Sequence, residues 1–170
     1  MGTDGGGINI LDPTTGNITV LEHISGDNHS LPTNTILCLH SDSAGNIWAG
    51  SKREGVINIR EVSMRTYTNV VLGHNKGLSQ STVLQLYQEP ASEELWIATD
   101  GGGINKFIPS TETFVHYPDT WGDKMVSITS FTPNELLVSA FSKGIFIFDK
   151  KTGKKRPFAI MSPSLEHHIR

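Results

Sequence analysis

The heptapeptide Thr3-Asp4-Gly5-Gly6-Gly7-Ile8-Asn9 recurs unchanged as Thr99-Asp100-Gly101-Gly102-Gly103-Ile104-Asn105, 96 residues later. An exact seven-residue match within one chain of 170 residues marks an internal repeat, here two periods of 48 apart. The intervening copy is present. Trp48-Ala49-Gly50-Ser51 aligns with Trp96-Ile97-Ala98-Thr99 at an offset of 48, and Leu31-Pro32-Thr33-Asn34-Thr35-Ile36-Leu37 aligns with Leu78-Ser79-Gln80-Ser81-Thr82-Val83-Leu84 at an offset of 47. The one-residue slip falls in the turn between them, Asp42-Ser43-Ala44-Gly45-Asn46 against Glu89-Pro90-Ala91-Ser92-Glu93-Glu94. A divergent fourth copy follows. Glu135-Leu136-Leu137-Val138-Ser139 falls on Glu94-Leu95-Trp96-Ile97-Ala98, and Gly144-Ile145 falls on Gly103-Ile104. In that copy Leu137 stands in the Trp position and Ser142-Lys143-Gly144 replaces the Gly triplet.

Each copy reads as four short strands. In the third copy they are Thr82–Gln88, Glu94–Thr99, Gly103–Ile108 and Thr113–Tyr117, separated by turn formers such as Pro90, Gly101 and Pro109. Leu84, Leu86, Leu95 and Ile97 alternate with polar or small residues, the period of a strand, and no stretch sustains a helical period. The Gly triplet fits a tight turn with positive φ or a close backbone approach. Trp48 and Trp96 read as structural plugs between neighbouring sheets. Four strands repeating every 40 to 50 residues are the pattern of a β-propeller blade. The expected fold is all-β, a fragment of four-stranded antiparallel blades. Its units are a half blade over 1–30, blades over 31–77 and 78–125, and a divergent blade over 126–158. Residues 159–170 form a tail or the start of a next blade. At about 47 residues per repeat the chain holds roughly 3.6 repeats, whereas closed propellers need about 4 to 8 blades. Met1 falls on Ile97, inside a strand. The expectation is an open arc that starts in mid-blade and exposes apolar flanks at its ends.

Composition narrows the function. With 36% hydrophobic residues, 18% charged residues and a net charge of −3, there is no basic excess for nucleic acid. No stretch approaches the ~18 apolar residues of a membrane span, so direct membrane insertion by this segment is not expected. A single cysteine, Cys38, leaves no disulfide framework; it reads as a small buried hydrophobe in an innermost strand. The seven histidines lack ligand spacing, and Glu89, Glu93 and Glu94 form a turn cluster rather than an acid–base pair. No Lys-Ser/Thr follows the Gly triplet, which excludes a phosphate loop. No catalytic residue, metal or cofactor is expected.

Two stretches, Ser30–Ser51 and Gly77–Thr99, resemble two-component regulator propeller repeats. The resemblance rests on Leu31, Asn34, Ile36, Asp42, Gly45 and Trp48 in one copy, and on Leu78, Ser81, Val83, Trp96, Thr99 and Gly103 in the next. Gly55 closes the corresponding turn of the first of these copies. Such repeats build the periplasmic sensor region of hybrid histidine kinases in polysaccharide-degrading bacteria. The resemblance therefore implies a periplasmic, non-catalytic sensor segment that binds an oligosaccharide, with the remaining propeller blades of a parent chain as partners. The parent would be a histidine kinase. The segment itself shows no signal peptide. The alternative is a protein-interaction or dimerisation scaffold, with a homo-oligomer as the expected state.

In a propeller the second-to-third strand turns and the connections between blades share one face. Here these are Asp4–Gly6, Lys52–Glu54, Asp100–Gly102 and Phe141–Lys143, with Glu22–Ser30, Val71–Ser81 and Pro118–Lys124. Trp121 is a candidate sugar platform, or else a seal between blades. Lys52 and Arg53 replace the glycines of the turn, so the backbone logic of the motif is expected to be absent there. They either reach a ligand carboxylate or sulfate or form a solvated turn. Asp4 and Asp100 are read as turn-capping residues first and ligand contacts second.

Overall fold

A computed structural model describes residues 1–27, 29–60, 63–69, 75–90 and 92–159. Residues 160–170, most of the expected tail, lie outside the described residues, as do Val71 to His74 of one inter-blade connection and Asn28 of another.

The period-2 alternation forms fourteen strands among the described residues. A hairpin comes first, β1 (Ile8–Leu11) and β2 (Ile18–Leu21). Three antiparallel meanders of four strands follow. The first comprises β3 (Ile36–Ser41), β4 (Ile47–Ser51), β5 (Val56–Arg60) and β6 (Ser63–Tyr67). The next comprises β7 (Val83–Gln88), β8 (Leu95–Thr99), β9 (Gly103–Ile108) and β10 (Thr113–His116). The last comprises β11 (Met125–Thr132), β12 (Glu135–Ala140), β13 (Gly144–Asp149) and β14 (Lys155–Pro157). We name the four units the half blade and the second, third and fourth blades. Strands are lettered A to D outward, so β1 and β2 are C and D of the half blade. The A strands β3, β7 and β11 neighbour one another along the inner side. The result is the open arc of blades that the repeat implies.

The last strand of the third blade is one residue shorter than its alternation suggests. Pro118 fixes its own φ and lacks an N–H, so the chain leaves the sheet at Tyr117 and forms a 3-10 turn over Pro118–Thr120.

The blades are glued by apolar side chains between their faces. Trp48 meets Phe107 of the next blade edge-on at 5.3 Å, beside Tyr67. Trp96 and Tyr117 meet Phe148 of the fourth blade at 6.0 and 5.0 Å. An aromatic buries ~150–250 Å², roughly 4–6 kcal/mol at 25 cal/mol per Å². Both tryptophans pack against a phenylalanine of the next blade. Their indoles differ, however. Trp48 Nε1 donates to Asp42 Oδ2 at 2.8 Å, whereas the buried Trp96 Nε1 has no partner among the described residues. In the third blade the residue aligned with Asp42 is Glu89, which accepts from Lys150 Nζ at 2.7 Å instead.

Leu31 and Leu78 are fully buried. Each is fixed the same way, its N–H donating to the chain just beyond a D strand: Leu31 to Glu22 O, Leu78 to Thr68 O. Cys38 is half-buried in β3 and points at Gly50, where a Cβ would lie 2.4 Å from its sulfur. Burial pushes its thiol pKa up to about 12, which makes it a packing residue rather than a nucleophile.

Candidate functional site at the B–C rim

The B–C turns are closed by hydroxyls, not by the aspartates. Thr3 Oγ1 donates to Gly7 O at 2.9 Å, Ser51 Oγ to Gly55 O at 3.0 Å and Thr99 Oγ1 to Gly103 O at 2.8 Å. The glycine that ends each turn has φ of 68°, 78° and 71° in turn. Two expectations change. Asp4 and Asp100 do not cap their turns, because the preceding threonine supplies the cap. The Lys52–Arg53 turn also keeps the backbone logic of the motif, because Ser51 and Gly55 carry it and the residues between them are free to vary.

Hydrogen bonds then join turn to strand to turn along the inner edge. Asp4 bridges Thr35, and Lys52 N donates to Thr35 O. Thr82 Oγ1 donates to Lys52 O, and Asp100 N donates to Thr82 O at 2.9 Å. Asp100 bridges Lys124, whose carbonyl accepts from Phe141 N at 2.8 Å. Asp4, Thr35, Lys52, Thr82, Asp100, Lys124 and Phe141 therefore form one unbroken arc across all four units. Lys124 Nζ pairs with Asp100 Oδ2 at 3.0 Å and lies 5.7 Å from the Phe141 ring centre. Lys52 and Arg53 are exposed and form no ion pair among the described residues.

Trp121 ends the 3-10 turn and is 48% exposed. Its neighbour Gly122 donates to Gly101 O at 2.8 Å, which ties it to the third B–C turn. The structure thus brings Asp4, Lys52 and Asp100 onto one arc, with Arg53 and Trp121 beside it.

Asp123 and Lys143 lie in segments that the sequence assigns to this face, but their pairing, with Lys155 as a third member, has no sequence signal. Asp123 is only 2% exposed and accepts from Lys143 of the fourth B–C turn and from Lys155 of β14. Burial pushes its carboxyl up, but the bonds from Lys143 and Lys155 outweigh it and hold the group below its ordinary value. The lysines lie 20 and 32 residues away in sequence, so no local pattern announces the triad.

The other face holds an open cleft of about 210 Å³ between the second and third blades, lined by Asp42, Arg60, Tyr67, Gln88, Glu93 and Glu112 among others. A further cleft of about 240 Å³ lies beside the His23–Ser30 connection. Among the described residues no group of His, Cys, Asp and Glu could hold a metal ion.

With this geometry the chain is an arc of β-propeller blades. Residues 30–53 match the family described as two component regulator propeller. No curated protein matches the chain. Among solved structures it is similar to the extracellular domain of BT3049 from B. thetaiotaomicron, described as a hybrid two component system. That likeness has a TM-score of 0.66 and 24% identity, over 75% of this chain and 19% of that one. It is also similar to PorZ of the Porphyromonas gingivalis type-IX secretion system, with a TM-score of 0.61 and 15% identity over 96% of this chain and 26% of that one. The computationally designed Ika8 protein gives a TM-score of 0.60 and 17% identity over 91% of this chain and 43% of that one. The chain therefore spans 19% of the BT3049 domain and 26% of PorZ. At these identities the likeness carries the fold. No helix among the described residues is long and apolar enough to cross a membrane.

Proposed function

We propose that this arc is a periplasmic ligand-sensing segment of a hybrid two-component signalling protein. It binds an oligosaccharide at the B–C rim and is itself non-catalytic, with the histidine kinase activity residing elsewhere in its parent. The observation that carries the reading is the unbroken arc from Asp4 to Phe141, with exposed Lys52 and Arg53 and the half-exposed Trp121 beside it. A sugar ring offers an apolar face and a rim of hydroxyls, which suit an indole surface and fixed charged hydrogen-bonding groups. The two-component match over residues 30–53 supports the signalling context.

Calorimetry of the folded chain against a panel of neutral and acidic oligosaccharides tests this. Heat of binding is expected for at least one glycan, and Trp121→Ala should weaken it by about tenfold, or ~1.4 kcal/mol. Absence of heat across the panel rejects the ligand reading. The scaffold reading is favoured by a separate observation, the exposed apolar side chains at the two ends of the arc. If that reading is right, light scattering shows the same particle size with and without sugar.

A further inference from the structure

The repeats serve as internal controls for the residue that precedes each inner-edge position. Asn34, Ser81 and Asp123 stand just before Thr35, Thr82 and Lys124. The carbonyl of each accepts from a glycine of a B–C turn, from Gly5, Gly55 and Gly101, at 3.0, 3.0 and 3.1 Å. The backbone role is shared, but the side chains differ. Asn34 Oδ1 accepts from His23 N at 2.6 Å, and Ser81 Oγ donates to Asn69 Oδ1 at 2.7 Å, so both tie back into the connection that leads to them. Asp123 reaches forward instead, to Lys143 and Lys155 of the fourth blade.

A second departure from the repeat lies two residues earlier, where Trp121 stands in place of Pro32 and Ser79. Trp48 and Trp96 are oriented by ring neighbours. Among the described residues Trp121 meets no other aromatic ring, so the loop that carries it must set the direction of its indole. That loop is held on two sides. On the third-blade side Gly122 N donates to Gly101 O at 2.8 Å, beside the Gly101–Asp123 bond. On the fourth-blade side a single residue holds both flanks. Lys155 N donates to Asp119 Oδ2 at 3.0 Å, and Lys155 Nζ pairs with Asp123 Oδ2. Asp119 and Asp123 stand two residues before and two after Trp121, so Lys155 closes a ring of bonds around it. Lys155 is itself anchored in β14, paired with Phe148, and its ammonium lies 5.5 Å from the Phe146 ring centre. The brace is thus built on a sheet rather than on another loop.

We propose that Lys155, acting through Asp119 and Asp123, is a positioning residue for Trp121 and fixes the indole in the direction it presents to an oligosaccharide. The proposal rests on the reading of Trp121 as a sugar platform. A platform fixed beforehand binds without the cost of ordering a free side chain and its loop. Loss of the brace should therefore weaken sugar binding by about three- to tenfold.

Fluorine NMR of the whole chain labelled with 5-fluorotryptophan tests the brace without any sugar. Three resonances are expected, one per tryptophan, and Trp121→Phe identifies the one from Trp121. Asp119→Ala, at an exposed position, removes one end of the brace, and Lys155→Met removes the lysine from the other. Each should move the Trp121 resonance toward the shift of free 5-fluorotryptophan and narrow it, while the Trp48 resonance stays in place. Asp119→Asn keeps an acceptor oxygen and should keep the wild-type shift. A Trp121 resonance that is unmoved in both Asp119→Ala and Lys155→Met overturns the proposal. So does an Asp119→Asn shift equal to that of Asp119→Ala. Calorimetry with cellohexaose and with a chondroitin sulfate hexasaccharide, a neutral and an acidic probe, reads the consequence. A probe that binds the wild type should bind Asp119→Ala about three- to tenfold more weakly, and equal affinities overturn the positioning role. If the fluorine spectra behave as expected and neither probe binds the wild type, the brace stands and the result counts against the sugar reading instead.

Discussion

Replacing Gly103 by alanine should damage this protein far more than replacing Gly144, although both end a B–C turn with positive φ. Gly103 has φ of 71°, and a Cβ there would lie 2.1 Å from Thr120 Oγ1 and 2.5 Å from Thr120 O. That hydroxyl cannot swing away cheaply, since it accepts from Ile104 N and donates to Tyr117 O. Gly144 has φ of 97° with nothing within 4 Å of the built Cβ. Alanine in the left-handed region costs about 1–2 kcal/mol, and forced overpacking adds about 1–3 kcal/mol. Gly144→Ala is expected to lose only the first amount, and Gly103→Ala about 2–5 kcal/mol in total. The difference of about 2 kcal/mol corresponds to about 4–8 °C in Tm for a chain of this size. Thermal unfolding read by tryptophan fluorescence and by far-ultraviolet circular dichroism measures it. Equal losses, or a larger loss for Gly144→Ala, would refute the claim that the D–A connection clamps the C strand at that glycine.

Asp123→Asn should destabilise at neutral pH by about 3 kcal/mol, the low end for a broken buried pair, because Lys143 is mostly exposed. The Asp123 carboxyl is held below 3.8, so its stabilising contribution is complete above that value and is lost as pH falls through the lower folded value. Acid unfolding curves of the Asn variant should accordingly be flatter below pH 4, and an unchanged acid limb counts against the triad. Trp48→Phe should cost about 1 kcal/mol more than Trp96→Phe in denaturant melts, because only Trp48 loses an indole hydrogen bond; the reverse order would mean that the Trp96 N–H is satisfied after all.

The fold was legible because its determinants are local and repeated. The Gly-ended turn recurs in every unit, and the Trp plug and the buried leucine before the A strand recur in the second and third blades at nearly fixed spacing, so the copies confirm one another. The all-β meanders and the open arc follow from that arithmetic. The rim was only half legible. Asp4, Lys52 and Asp100 stand at matched turn positions and could be placed on one face from the period alone. Their roles could not be. The cap belongs to Thr99 because a hydroxyl one residue earlier reaches the Gly103 carbonyl, and Asp100 turns instead to Lys124 of the next unit. Asp123 was missed because both its lysines come from another blade, beyond any helical or strand spacing. Trp96 reads as the twin of Trp48, but the residue aligned with Asp42 is Glu89, whose carboxylate takes Lys150 instead.

The rim arc also constrains how this repeat can change length. The Lys52 and Asp100 turns are each bonded to the residue just before their own A strand and to the one just before the next, so an inserted residue there would dephase the edge. The A–B turns on the opposite face are tied to the next blade by side chains instead, Ser43 N donating to Gln88 Oε1 and Lys150 Nζ to Glu89, and they differ in length between copies: Asp42 to Asn46, Glu89 to Glu94 and Thr132 to Asn134 span five, six and three residues. The B–C turns, by contrast, keep one length, with Thr3 to Gly7, Ser51 to Gly55 and Thr99 to Gly103 each spanning five residues. A tandem duplication can then diversify blade by blade while the working edge stays in phase, which leaves the A–B face as the natural place to graft a loop, an epitope or a reporter.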